Sequence, residues 1–155
     1  MNIPSAWAMQ ITGVNRLRFN EAVFAGLYPC APPTEERRKR YFGTNDVIAL
    51  YAFGQLTSTG ITPRVAGEIA CSIAELMNTH GDSLEAVIVA WKADGTRWVG
   101  PWFGVGKDEG RPHLDPTAAG WTLMFQFSIT EIGKEVFRRY YELHQSDKFD
   151  RSDDE

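Results

Sequence analysis

Apolar residues along the chain change period several times, and the changes divide it into elements. "SAWAMQITG" places Trp7, Met9 and Ile11 in a short helical pattern that begins at Ser5 as N-cap and stops at Gly13. A second helix follows at once, with Asn15 positioned to cap it. Leu17, Phe19, Val23 and Phe24 form its broad apolar face, and Gly26 ends it in a left-handed conformation. "LYPCAPPTEERRKRYF" contains three prolines and a run of charge, so it predicts an extended loop or hairpin. Thr44 then caps a helix through Leu56, too apolar for an exposed surface. Gly60 stops it, and a further helix starts with Thr62 as cap and Pro63 at the first helical position. That helix puts Val65, Ile69, Ile73 and Leu76 or Met77 on one face before Gly81.

Beyond Gly81 the period shortens to two. "LEAVIVAWKADGTRWVGPWFG" has β-branched residues on both sides of Asp94-Gly95, the signature of a hairpin. "WTLMFQFSI" alternates between Trp121, Leu123, Phe125, Phe127 and Ile129 on one side and Thr122, Met124, Gln126 and Ser128 on the other, a half-buried strand. Ser128 and Glu131 then form a possible capping box for a final helix with Ile132, Val136, Tyr140 and Leu143 in one stripe, expected to cover the sheet. The predicted fold is α+β: an amino-terminal winged helix-turn-helix over 1–80, and a small antiparallel sheet packed on one helix over 81–145. An acidic tail over 146–155 is expected to be disordered.

Composition narrows the function classes. The 43% apolar and 23% charged fractions are those of an ordinary globular chain of 155 residues, and no apolar run approaches a membrane span. The start "MNIPSAWAMQ" lacks a basic region followed by a long apolar stretch, so no secretory signal is expected. Cys30 and Cys71 are too few for a disulfide framework or a four-ligand zinc site. Cys71 is read as a buried packing thiol, Cys30 as a loop residue, and a reducing cytoplasm as the setting. The net charge of −4 is unevenly distributed: residues 1–80 carry seven Lys/Arg against six Asp/Glu, and residues 81–155 carry nine against fourteen.

Two short helices at a Gly-containing corner form a helix-turn-helix pattern, whose second helix can enter a major groove. Asn15, Arg16, Arg18 and Asn20 lie near the start of that second helix. Arginine bonds guanine O6 and N7, and asparagine bonds adenine N6 and N7, each as a bidentate pair. Base reading is therefore assigned to Arg16, Arg18 and Asn20, with Asn15 as the cap; the bland alternative is a solvated polar face. Arg37, Arg38, Lys39 and Arg40, followed by Tyr41, make a basic wing suited to phosphates.

The pieces "ITGV", "AGLYP", "RYF", "NDVIALYAFGQL", "TGIT" and "GEIA" appear in an order and spacing that resembles the MerR-type winged-helix DNA-binding domains of bacterial regulators, over roughly residues 8–77. The resemblance implies a reading helix, a basic wing and a dimer on DNA. It leaves two registers open, since either Arg18 or Asn20 matches the family's phosphate-contacting position. The long dimerising coil that follows the fourth helix in that family is absent here, and pairing is assigned to the carboxyl-terminal module, with Phe125, Phe127, Tyr140 and Tyr141 as candidates. Trp91, Trp98, Trp102 and Trp121 are concentrated in that module and read chiefly as core, then as interface.

Enzyme chemistry finds little support. Gly104, Gly106 and Lys107 lack the Gly-Lys-Ser/Thr of a phosphate loop, no nucleophile elbow occurs, and His80, His113 and His144 have no ligand spacing. No catalytic residue, metal, cofactor or small-molecule effector is expected. The function predicted is a double-stranded-DNA-binding regulator of bacterial or phage type, homodimeric, cytoplasmic and associated with the nucleoid. The alternatives are a protein-interaction or assembly module that makes no use of DNA, and a DNA-bending accessory factor of a mobile element.

Overall fold

The computed structural model describes residues 2–34, 39–103 and 120–152, with 147–152 described by backbone alone. The elements are β1 (Ile3–Pro4), α1 (Ser5–Thr12), α2 (Arg16–Phe24), β2 (Tyr41–Phe42), α3 (Thr44–Ser58) and α4 (Pro63–His80). They are followed by β3 (Ala86–Trp91), β4 (Arg97–Trp102), β5 (Leu123–Ser128) and α5 (Ile129–Ser152). The fold is α+β. β1 and β2 pair antiparallel, Ile3 with Phe42 and Pro4 with Tyr41. A separate antiparallel sheet has the order β4-β3-β5, with β3 central and paired Trp91 to Arg97 on one side and Trp91 to Leu123 on the other.

Local chemistry explains most element ends. Asn15 caps α2, its side-chain oxygen accepting from Leu17 N at 3.0 Å and Arg18 N at 3.1 Å. Gly13 turns the α1–α2 corner at φ 71°, where a side chain would be strained. Thr62 caps α4 with Pro63 at the first position. At the β3–β4 hairpin, Asp94 Oδ1 accepts from Thr96 N at 2.8 Å, a bond that holds its carboxyl below the usual range. The start of α5 is capped by the Ser128 hydroxyl, which accepts from Glu131 N at 3.4 Å.

Two predicted caps lie one residue away. Pro4, not Ser5, precedes α1, because β1 pairing carries the chain in extended form up to Ser5. Gly43, not Thr44, precedes α3, and the Asp46 carboxylate accepts from Gly43 N at 2.8 Å, the backbone half of a capping box.

Most of the buried apolar residues form one continuous cluster that runs from Ile3 to Val136 and takes in α3 and, from β3, Val87 and Val89. Residues 1–80 and 81–145 thus share a core. Phe19 anchors α2 in it, tilted against Phe42 at 5.9 Å and edge-on to Tyr28 at 5.2 Å, and Tyr28 in turn stands edge-on to Phe53 at 5.2 Å. Burial, with the negative charge of Asp46, pushes the Tyr28 phenol well above its usual range, so it stays neutral.

Three expectations are corrected. The final helix does not simply cover the sheet: its 24 residues span about 36 Å, against about 20 Å for a six-residue strand, so it extends across α1 and α3. There Arg139 Nη1 donates to Ile11 O at 2.6 Å, and Tyr140 meets Trp7 edge-on at 5.8 Å. Nor does the helix stop at 145. No Gly or Pro follows Gly133, and the backbone remains helical through Ser152, so the tail expected to be disordered is helical as far as it is described.

The third correction concerns the cysteines. Cys30 and Cys71 form a disulfide that closes a separation of 41 residues, with Cα atoms 5.5 Å apart. Neither is a free thiol, and the cysteines no longer argue for a reducing compartment. The bond fastens the segment after α2 to α4. Beside it, Gly67 lies against Leu27, where an added Cβ would fall 1.8 Å from the Leu27 carbonyl oxygen; only glycine permits that approach. No described helix is long and apolar enough to cross a membrane.

Candidate nucleic-acid interface

Sequence periodicity put Leu17 and Phe24 on the inner face of α2. The structure turns them outward, 67% and 95% exposed, while Phe19 is buried as expected, with Ala22 beside it. A turn of 100° per residue accounts for this: Phe24 lies about 140° around the helix from Phe19 and about 20° from Leu17. Around the exposed arc the order is Arg16, Asn20, Phe24, Leu17, Glu21 and Arg18, all exposed. Arg16 and Arg18 therefore stand roughly 160° apart. The three residues proposed to read bases do not share one face; the two arginines occupy its opposite edges.

Each edge meets a cleft. On the Arg16 side, a cleft of about 350 Å³ is lined by Pro4, Ser5, Ala6, Arg16, Asn20, Thr34, Lys39, Arg40 and Tyr41. Five of the predicted contact residues thus meet at one place, drawn from two segments about twenty residues apart. What joins the segments is Phe19 of α2, which packs against Phe42 and lies beneath the Arg40 guanidinium; Thr34 bridges antiparallel to Arg40, and Ser5 N donates to Arg40 O at 3.1 Å. That single bridge is all that the described residues show of the predicted loop or hairpin. Arg37 and Arg38 lie outside the described residues.

On the other side, a cleft of about 550 Å³ is lined by Asn15 and Arg18 from α2, by Phe53, Gly54 and Thr57 from α3, and by Thr62 and Pro63 at the start of α4. The amino-terminal ends of α1 and α4 each open onto one cleft, with Ser5 N already bonded to Arg40 O, Val65 N to the Thr62 hydroxyl, and no N–H on Pro63.

Lys39 is exposed, and among the described residues Arg16, Arg18 and Lys39 have no acidic partner. Arg40 is half-buried. Its guanidinium carbon lies 5.7 Å from the centre of the Phe19 ring, and its Nε is buried without a hydrogen-bond partner. Tyr41 is half-buried in β2. Sequence reasoning missed Ser5, Ala6 and Thr34, which carry no charge to mark them. It also missed the outward face of Leu17 and Phe24, which the angular relation to Phe19 already contained.

The four interface candidates separate. Phe127 is 9% exposed within the core, and Phe125 packs edge-on against Trp91 at 5.6 Å. Tyr140 is engaged by Trp7, leaving Tyr141, 60% exposed, with Phe137, 56% exposed, one turn before it on α5. Among the described residues no group of three or more His, Cys, Asp or Glu side chains could hold a metal ion. A comparison with protein-family models finds no match to this chain, and a comparison with curated protein sequences finds none either.

Proposed function

We propose that the protein binds double-stranded DNA, with α2 in the major groove and the hairpin around Lys39 on the phosphate backbone. The observation that carries this reading is the cleft in which Arg16, Asn20, Lys39, Arg40 and Tyr41 converge beside the amino-terminal end of α1. Unpaired cations on a rim, with a helix presented between them, match the negative charge of a duplex. The MerR-like order of pieces over residues 8–77 supports the same reading, and with it a bacterial or phage regulator working in the cytoplasm. Binding, not catalysis, is the activity assigned, and neither cofactor nor small-molecule effector is part of it.

A single α2 covers few base pairs, so the working unit is proposed as a homodimer on a repeated or palindromic site. The paired surface is assigned to α5 around Phe137 and Tyr141. The test is selection from a pool of randomised duplexes, repeated with Arg16→Ala and Lys39→Ala. The reading expects a defined motif for the wild-type chain and, for both variants, weaker binding with the motif retained, as befits phosphate contacts. Recovery of no duplex above background would overturn it.

A further inference from the structure

The outward face of α2 carries two exposed apolar side chains between its basic edges, and a solvated DNA-contacting face has no need of them. We infer that Leu17 and Phe24 are specificity-determining residues that read thymine through its 5-methyl group. The inference rests on the proposed DNA binding and names what that binding selects.

A helix lying in a major groove presents its flanks to the two phosphate chains and its outermost strip to the base edges. In α2 the flanks are Arg16 and Arg18, each beside its own cleft. The strip between them is Leu17 and Phe24, with Asn20 and Glu21 on either side. Phe24 at 95% exposure and Leu17 at 67% are too open to serve the core.

The charge of the surroundings names the occupant. Arg16, Arg18 and Lys39 have no acidic partner among the described residues, and the strip's single acid is Glu21. A polyanion fits that rim. Within a polyanionic groove, the apolar feature at the base edges is the thymine methyl group. Asn20, beside the strip and between the two in height along the helix, has the amide to pair with adenine N6 and N7. Leu17 and Phe24 are seven residues apart, about 10 Å along the helix axis, which spans about three base pairs at 3.4 Å each. The face therefore selects a site with thymines about three pairs apart.

The probe is the duplex selected by the intact wild-type chain, remade with deoxyuridine for thymidine at one position at a time. Each exchange removes one methyl group and leaves every hydrogen-bonding edge unchanged. Affinity is expected to fall about fourfold at two positions, the factor that burial of one methyl group is worth. Leu17→Ala should abolish the sensitivity at one of them and Phe24→Ala at the other. Both side chains are exposed, so the thermal melt of each variant should match that of the wild type.

A wild-type chain indifferent to every exchange, yet still salt-dependent and still weakened by Lys39→Ala, would overturn the methyl reading and leave DNA binding standing. Sensitivity that persists in both Ala variants would also overturn it. Retention of no duplex would remove both claims.

Discussion

Reduction of the Cys30–Cys71 bond should lower stability by an amount set by the loop it closes. The two residues are 41 apart in sequence. In the chain-entropy model, cross-linking a loop of that length removes about 13 cal/mol/K from the unfolded ensemble, or about 4 kcal/mol at 25 °C. For a chain of this size, 1 kcal/mol moves the melting temperature by about 2–4 °C, so reduction should lower it by about 8–16 °C. Both cysteines are half-buried, which leaves the sulfurs within reach of a small reductant. The assay is thermal unfolding followed by circular dichroism, with and without reductant, on the wild type and on Cys30→Ser/Cys71→Ser. The double variant should melt near the reduced wild type and ignore the reductant. A wild-type melt that reductant leaves unchanged, at a concentration shown by thiol titration to free both cysteines, would refute the reasoning.

Three further outcomes follow from packing and charge. Gly67→Ala should destabilise by about 1–3 kcal/mol although alanine is the better helix former, because the new Cβ meets the Leu27 carbonyl; denaturant unfolding checks it, and a neutral or stabilising result would contradict the close approach. The guanidinium groups of Arg138 and Arg139 pull the Glu135 carboxyl down to about 2. The stabilisation it gives α5 is therefore complete above its ordinary value of 4.5 and is lost as pH falls through about 2. Acid unfolding of Glu135→Gln should accordingly show a smaller dependence on pH across that window than the wild type. Sedimentation at tens of micromolar should show a dimer that Phe137→Ala/Tyr141→Ala converts to monomer. A wild-type chain that stays monomeric both free and on DNA would exclude the pairing.

Elements governed by neighbouring residues were legible in the sequence. The Asn15 cap, the Thr62-Pro63 helix start and the Asp94-Gly95 hairpin depend on interactions within a few residues, and each appears where the pattern puts it; the third strand is present over Leu123–Ser128, but Leu123, expected on its inner side, is exposed. The misses depend on distant partners. Whether Cys30 meets Cys71 is decided by how the segment after α2 packs on α4, a contact across 41 residues that spacing cannot reveal. The path of α5 over α1 depends likewise on Trp7 and Ile11 at the far end of the chain. The candidate site was legible in part: the basic residues were visible as types, but their distribution onto opposite edges of α2 needed Phe19 fixed in the core first.

The salt dependence of duplex binding tests the central claim most directly. Each phosphate neutralised by a cation of the protein contributes a slope of about −0.9 to log affinity against log salt. With Lys39 on a phosphate, Lys39→Ala should make the slope shallower by about 0.9 per bound subunit, with affinity lowered alike for every sequence tested. A slope near zero for the wild-type chain, or one that Lys39→Ala and Arg16→Ala both leave unchanged, would contradict the placement of α2 and its basic hairpin on DNA.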